Sequence, residues 1–532
     1  MSILNFKGKT FVQNFHLAVP YCQLVPKKDK SITGKVSLSD NLIIHGDNLK
    51  ALKALLPNYG GRVKCIYIDP PYNTGNEKWV YNDNVNSPMM QEWLGKVVDK
   101  EDLTRHDKWL CMMIPRLKLL RELLSEDGVI CISIDDIELA RLVNLMDEIF
   151  GEENKEEIVC WRRRHNQPND KSKAISKVAE FIVIYAKNLE YLKKKKTFYG
   201  LPLTGDFSNP DKDQKGEWAS KPWKAGSNQT GCKYRIITPT GKVLEEEWLG
   251  EEKTYKQYLA EGRIYFPRKG AGYPRKKYYK FEREAEGQCA HNFWGHEDFG
   301  SNQEATEELK SLHLEEFDNP KPVKLIHALI SIFTSEDSII LDSFAGSGTT
   351  AHAVLGINNE EKGSNRKFIL VECEDYADKI TAERVRRVIN GVKDAKSENL
   401  RKGLSGTFSY FELGDPIEME TILEGRKLPN YIDLARYVFY TATGEEFDSK
   451  KVNEKKSFIG ESREYEVYLF YQPDIEYLKN TALTLERAKA LGPFKKKKRM
   501  VFAPSKYLDT EYLLEYHIEY CQLPFEIYKL KE

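Results

Sequence analysis

The sequence predicts an open α/β fold, a mostly parallel sheet whose two halves are separated in the chain by a long insert. Three observations lead there: short Ile/Val-rich runs that end in an acid or a turn, helix-patterned stretches between them, and about 130 central residues of different texture.

In order, the runs are NLIIHGD (41–47), VKCIYID (63–69), GVICISID (128–135), FIVIYAK (181–187), SIILDSF (338–344) and KFILVE (367–372). Their length and composition read as buried parallel strands. Between the second and third lies LTRHDKWLCMMIPRLKLLRELLSEDG (103–128), with leucines at helical spacing and Gly128 as its stop. DYADKITAERVRRVIN (375–390) is the helix after the last run. Such alternation places ligands outside the carboxyl ends of the strands.

From about 190 to 320 the signals are those of loops and hairpins: SNPDKD (208–213), TPTGK (238–242) and FPRKGAGYPRKK (266–277). After about residue 404 come a strand-like YEVYLFYQP (465–473), a helix-like TALTLERAKALG (481–492) and an exposed basic run KKKKR (495–499). The expected boundaries are an N-terminal extension (1–40), a first half of the sheet (41–190), an insert (191–320), a second half (321–403) and a small α+β C-terminal domain (404–532). Several domains are what 532 residues require at roughly 100–200 each.

Composition excludes whole classes. With 41% apolar and 11% aromatic residues the chain is too hydrophobic to be disordered. No apolar run approaches the ~20 residues of a membrane helix. After Lys7 and Lys9, FHLAVP is too short for the apolar core of a secretory leader. Nine cysteines stand singly, with no CxxC pair, which speaks for a reducing cytosol and against a zinc site or disulfide framework. No metal is expected.

Lys and Arg number 81 and balance 81 Asp and Glu, but residues 161–300 hold 28 basic against 18 acidic residues and 22 of the 61 aromatics. That mixture suits a polyanion whose bases stack on aromatic rings. A solvated lysine-rich surface has the same composition, and composition does not choose between them.

Two motifs carry chemistry. Asp69-Pro70-Pro71-Tyr72-Asn73-Thr74-Gly75 closes the second run. Two prolines remove two backbone donors and hold an extended turn. That turn presents a carboxylate and the Pro70 carbonyl as paired acceptors, fit for an amine with two N–H groups, beside a ring on which a flat base can stack. A Pro-rich turn capped by an aspartate is the alternative. The second motif, Leu341-Asp342-Ser343-Phe344-Ala345-Gly346-Ser347-Gly348-Thr349-Thr350, leads from the fifth run into a helix. Small residues there let the backbone approach a ligand, and the helix start favours a negative group. It lacks the lysine of a P-loop, and tight packing explains many such turns equally well.

Together the motifs resemble those of the amino-methylating DNA methyltransferases. Asp69-Pro70-Pro71-Tyr72 looks like their catalytic motif, and FAGSGTT (344–350) like their S-adenosylmethionine loop. Catalytic motif first and cofactor loop some 270 residues later is the order of the beta class. HGDNLKALKAL, PRLKLLRELLSEDGVICISIDD, FIVIYAKN, NPKPVKLIHALISIFTSEDSIILDSFAGSGTTAHAVL and RKFILVECEDYADKITAERVRRVI extend the likeness to the modification subunits of type III restriction systems, over roughly 40–405. The resemblance implies a class I (Rossmann-like) methyltransferase sheet, circularly permuted, with the target-recognition region as the insert.

It also implies roles. Phe344, Ala345, Gly346, Ser347 and Gly348, after Asp342, would line the methionine part of the cofactor, with Thr349 and Thr350 at the helix start. Glu372 matches the acid that binds the ribose hydroxyls, with a helix-capping acid as the alternative. Asp47 matches an acid near the adenine. Lys321 and Pro322 match a motif that closes over the amino-acid end, though Lys321 is equally readable as surface charge. For DNA the candidates are Arg162, Arg163 and Arg164 and, in a loop of the insert, Arg275, Lys276 and Lys277.

The implied reaction is methyl transfer to N6 of an adenine flipped out of double-stranded DNA, with no metal and no covalent enzyme intermediate. Aspartate opening the motif favours adenine, since relatives acting on the cytosine amine more often carry serine there. Methylation of cytosine N4 or of RNA, and a mainly DNA-recognising role beside a helicase–nuclease, remain open. A homodimer and a restriction subunit are the protein partners the resemblance brings, with the C-terminal domain as a surface for one of them.

Overall fold

The Ile- and Val-rich runs pair into one large sheet of the computed structural model, which describes residues 4–73, 105–166, 174–201, 206–314, 317–416, 428–494 and 496–523. In chain order the strands of this sheet among the described residues are β1 (Cys22–Pro26), β2 (Leu42–His45), β3 (Val63–Ile68), β4 (Leu124–Ile134), β5 (Lys155–Arg162), β6 (Ala179–Ala186), β7 (Phe293–Trp294), β8 (Ile339–Asp342), β9 (Lys367–Glu372) and β10 (Ser409–Pro416). Across the sheet they run β1-β10-β2-β9-β8-β3-β4-β6-β5-β7. From β10 to β4 all neighbours are parallel. β3 and β8, far apart in the chain, lie side by side, with Ile340 opposite Cys65 and Leu341 opposite Ile66. Their carboxyl ends therefore open at one edge. The residues that follow β3 and β8 are the two motifs.

Helices α1 (Asn48–Tyr59), α2 (Arg105–Leu123) and α3 (Leu139–Phe150) cover the sheet. Leu52, Leu117, Leu120, Leu142 and Met146 bury their apolar faces against Ile66, Ile130 and Ile132. Burial of each such side chain stabilises by roughly 1.5–3 kcal/mol. Further along are α4 (Val323–Phe333), α5 (Thr349–Glu360) and α6 (Glu383–Asn390). No helix among the described residues is long and apolar enough to cross a membrane.

Several expectations are corrected. β6 runs antiparallel to both β4 and β5 rather than parallel, because an apolar run reports burial and says nothing of direction. The helix over 103–128 ends at Leu123, and Leu124 already pairs with Val63 in the sheet, so Gly128 lies within β4 instead of stopping the helix. β5 and β10 gave no apolar run: KEEIVCWR is polar at its start, and β10 lies outside the six runs. β1 and β10 also carry the sheet beyond the expected limits at 40 and 404.

Residues 428–523 add a four-stranded sheet ordered Phe458–Glu461, Tyr465–Leu469, Lys498–Ala503, Ile518–Gln522. The basic run expected to be exposed is partly a strand there: the Arg499 side chain is buried, its guanidinium 3.5 Å from the equally buried Glu466. The helix expected over 481–492 is a short strand, Ala482–Leu483, followed by the helix Leu485–Ala490.

The chain divides into two compact units, residues 1–198 with 291–532, and residues 199–290. The second has its own core of Trp223, Ile236, Leu244, Trp248, Tyr255 and Ile264. TPTGK forms the expected hairpin turn between Cys232–Ile237 and Val243–Trp248, with Gly241 at φ +83°. Arg275, Lys276 and Lys277 do not lie in a loop. They begin a strand, Arg275–Tyr279, paired on both sides.

Candidate active site

Asp69 follows β3 directly, and the two prolines carry the chain away from the sheet edge. Trp109 of α2 donates its indole N–H to the Pro71 carbonyl at 2.7 Å. Asn73 turns the backbone at φ +59°, and its amide donates to the Glu138 carboxylate and, at 3.3 Å, to the Arg105 carbonyl. Asparagine is among the few residues that enter this left-handed region at small cost. Both ends of the turn are thereby tied to the core. Thr74 and Gly75 lie outside the described residues.

Four charged groups and a hydroxyl meet at this turn. The Tyr72 hydroxyl lies 2.7 Å from Asp69 Oδ1 and 3.1 Å from Glu180 Oε2. Lys321 Nζ donates to Asp69 Oδ2 at 2.6 Å and lies 3.6 Å from Glu180. The same ammonium sits 5.0 Å from the centre of the Tyr72 ring. Arg163 reaches the other Glu180 oxygen at 3.0 Å. Burial by itself lowers the pKa of Lys321, but the Asp69 and Glu180 charges more than offset it, and the result lies above the ordinary lysine value. Burial, reinforced by the same two carboxylates, pushes the Tyr72 hydroxyl far above its usual value, so it stays a proton donor.

The glycine turn lies alongside. Gly346 and Gly348 have φ of +52° and +79°. A Cβ on Gly348 would stand 3.0 Å from the Thr381 carbonyl, and one on Gly346 would stand 3.1 Å from the Phe317 ring. Asp342 accepts from the Phe344 N–H at 3.0 Å and the Thr350 hydroxyl at 2.5 Å, and burial raises its pKa to about 7. Glu372, ending β9, accepts the N–H of Gly346 at 2.7 Å, Cys373 at 2.9 Å and Glu374 at 3.1 Å. Burial lifts its pKa to about 6, against the pull of those backbone donors. Behind the turn the buried Arg384 donates to the hydroxyls of Ser347 and Thr349 at 2.9 and 2.8 Å.

One cavity of about 880 Å³ takes in both motifs, within the range of small-molecule and cofactor sites. Asp69, Pro70, Pro71, Tyr72, Lys321, Asp342, Phe344, Ala345, Gly346, Ser347, Thr349, Thr350 and Glu372 all line it, as do Arg163 and Arg164. Asp47, Pro322, Gly348 and Arg162 do not. Asp47 caps α1 through the Lys50 N–H at 2.9 Å and faces Arg116 at 3.5 Å. Pro322 precedes α4, and Arg162 donates to the His165 carbonyl at 3.2 Å.

The basic strand of the insert corrects a second expectation. Lys277 is buried between Asp211 and Asp213, at 2.5 Å from each. Arg275 binds Ser220, and Lys276 stands 3.9 Å from the centre of the Tyr258 ring. Side chains alternate across a strand, so Lys276 points to one face and Arg275 and Lys277 to the other, where Lys277 meets the two aspartates.

Sequence reasoning missed Glu180, Arg384, Trp109 and the Phe317–Tyr376 pair, which meets edge to face at 5.6 Å. Glu180 alone left a signal, an acid opening an otherwise apolar run. A buried, paired carboxylate at the end of such a strand is a site candidate.

A carboxylate turn and a glycine turn side by side at the carboxyl edge of a parallel sheet define a ligand site of the α/β switch-point class. The chain belongs to the DNA methylase family, which matches residues 63–383. It is 34% identical over 412 residues to the Mod subunit of the type III restriction-modification enzyme StyLTI of Salmonella typhimurium, covering 72% of this chain and 62% of that subunit. With the EcoP15I Mod subunit of Escherichia coli it shares 30% identity over 77% of this chain and 71% of that subunit. The chain thus spans about two thirds of these relatives. The solved structure of PvuII DNA methyltransferase (cytosine-N4-specific) is 14% identical, over 69% of this chain and 94% of its own, at a TM-score of 0.36.

Proposed function

We propose that this chain transfers a methyl group from S-adenosylmethionine to N6 of an adenine flipped out of double-stranded DNA, as the modification subunit of a type III restriction system. The observation that carries the reading is the shared cavity, with Asp69 of the proline turn on one wall and the glycine turn with Glu372 on the other.

The residues present fit the cofactor. Glu372 offers ribose hydroxyls a carboxylate whose orientation three backbone N–H groups hold. The absence of a side chain on Gly346 lets the Phe317 ring pack against the turn as part of the cavity wall. The edge-to-face pair Phe317 and Tyr376 provides apolar wall. When bound, the cofactor supplies an electrophilic methyl on a sulfonium.

The chain's own work is placement. Asp69 and the Pro70 carbonyl accept the two N–H groups of the amine and draw its nitrogen toward a tetrahedral shape, and the Tyr72 ring stacks on the base. Stacking contributes roughly 1–3 kcal/mol toward the few kcal/mol that flipping costs. Arg164, which lines the cavity, would meet an adjacent phosphate, while Arg163 is engaged by Glu180. The 199–290 unit, with its aromatics and lysines, serves target recognition. A second copy and a helicase–nuclease subunit are the protein partners.

The test is incubation with tritiated S-adenosylmethionine and unmethylated genomic DNA, then nucleoside analysis. N6-methyl-2′-deoxyadenosine in the DNA digest supports the reading. N4-methyl-2′-deoxycytidine would overturn the choice of base, and absence of label would overturn the activity.

A further inference from the structure

Asp69, in the reaction proposed above, must give a carboxylate oxygen to the incoming amine, yet both of its oxygens are already engaged. Oδ1 takes the Tyr72 hydroxyl at 2.7 Å and Oδ2 the Lys321 ammonium at 2.6 Å. Each oxygen keeps a second lone pair, but the cation and the hydroxyl draw on the same negative charge that would polarise the amine.

We propose that Glu180 is a positioning residue that draws these two donors off Asp69 when the amine arrives. The Tyr72 hydroxyl carries one proton and has two carboxylates within reach, Asp69 Oδ1 at 2.7 Å and Glu180 Oε2 at 3.1 Å. It donates to one of them at a time. Rotation about its C–O bond moves the proton from one carboxylate to the other while the ring stays in place for stacking. The Lys321 ammonium, with three N–H donors, lies 3.6 Å from the same Glu180 oxygen, so a shift of about an ångström transfers its main contact. Glu180 is 3% exposed, and Arg163 holds its other oxygen at 3.0 Å, which keeps Oε2 directed at the pair. Nothing is ionised or neutralised in the exchange, and two hydrogen bonds change partner. The inference rests on the proposed function, because without an amine to bind, Asp69 has no need to be released.

A double-mutant cycle on methyl transfer tests it, with Glu180→Gln, Tyr72→Phe and their combination. Glutamine keeps the size and one oxygen but removes the charge. The expected result is a fall in kcat of tenfold or more for Glu180→Gln, with the calorimetric Kd for S-adenosylmethionine within about threefold of wild type. In the Tyr72→Phe background the same change should cost at least threefold less, since there is no hydroxyl to relocate. Glu180→Asp, which keeps the charge, should recover part of kcat. Equal losses in both backgrounds, or no loss in the first, overturn the proposal. Loss of cofactor binding in Glu180→Gln and Glu180→Asp alike makes the residue structural and overturns it too. A wild-type protein that methylates no DNA refutes the functional reading, and this inference falls with it.

Discussion

Replacing Glu372 by glutamine separates charge from shape at the ribose site. The carboxylate is held by the N–H groups of Gly346 on one oxygen and of Cys373 and Glu374 on the other. Glutamine, nearly isosteric, fits the space but turns its NH2 toward at least one of these donors, which adds to the loss. A hydrogen bond to a charged acceptor contributes about 1.5–3 kcal/mol and one to a neutral acceptor about 0.5–1.5. Two ribose hydroxyls therefore lose about 2–3 kcal/mol together. At 1.4 kcal/mol per factor of ten, the Kd for S-adenosylmethionine should rise about 30- to 150-fold at pH 7.5.

The same carboxylate sets the pH dependence, because burial places its pKa at about 6. Ribose hydroxyls bind the ionised form, so wild-type affinity should fall as pH drops through 6, by at most tenfold per unit, and glutamine should abolish that slope. Stability moves the other way. A folded pKa of about 6 against 4.5 means the folded state holds the proton more tightly. At 1.36 kcal/mol per unit, this group opposes folding by about 2 kcal/mol above pH 6, and the opposition is relieved as pH falls from 6 toward 4.5. Calorimetry between pH 5.5 and 8 reads the binding effect directly. A mutant Kd within threefold of wild type would refute the ribose assignment, and a wild-type Kd flat across that range would mean that the three N–H donors outweigh burial at Glu372.

Three further outcomes are expected. Asp69→Ala should reduce methyl incorporation below a few per cent of wild type while cofactor Kd stays within about threefold, because the carboxylate faces the amine; higher residual activity removes it from catalysis. Gly348→Ala, at φ +79° with a carbonyl 3.0 Å from the new Cβ, should cost about 1–2 kcal/mol of stability from the left-handed backbone alone, visible as a lower Tm; an unchanged Tm contradicts the strain. Lys277→Ala should lower the stability of the 199–290 unit by about 1–3 kcal/mol, since it leaves two partly exposed carboxylates without their shared cation. If it instead flattened the salt dependence of DNA binding with no loss of stability, Lys277 would be a phosphate contact after all.

The parts of this protein legible in its sequence are those that local chemistry decides. Buried strands such as VKCIYID and KFILVE need mostly apolar side chains, so they stand out; β9 spans residues 367–372, as read from its run. Paired prolines after a strand force an extended turn whatever surrounds it, and Gly346 and Gly348 take backbone angles that other residues enter only with strain. The likeness of these motifs to a methyltransferase family follows from the same residues.

Tertiary structure alone decided who meets whom. Lys321 reaches both Asp69 and Glu180 because β3, β6 and the segment before α4 converge at one sheet edge, and no spacing in the chain encodes that. Direction escaped the sequence as well: β6 reads like its parallel neighbours, because an apolar run records that a strand is buried on both faces and not which way its neighbour runs. For charged residues the gap is widest. Lys276 and Lys277 are the same residue type, adjacent in the chain, and alternate strand geometry sends one to a tyrosine face and the other between two aspartates. A charge is placed by its nearest opposite charge, and that neighbour is chosen only when the strands have paired.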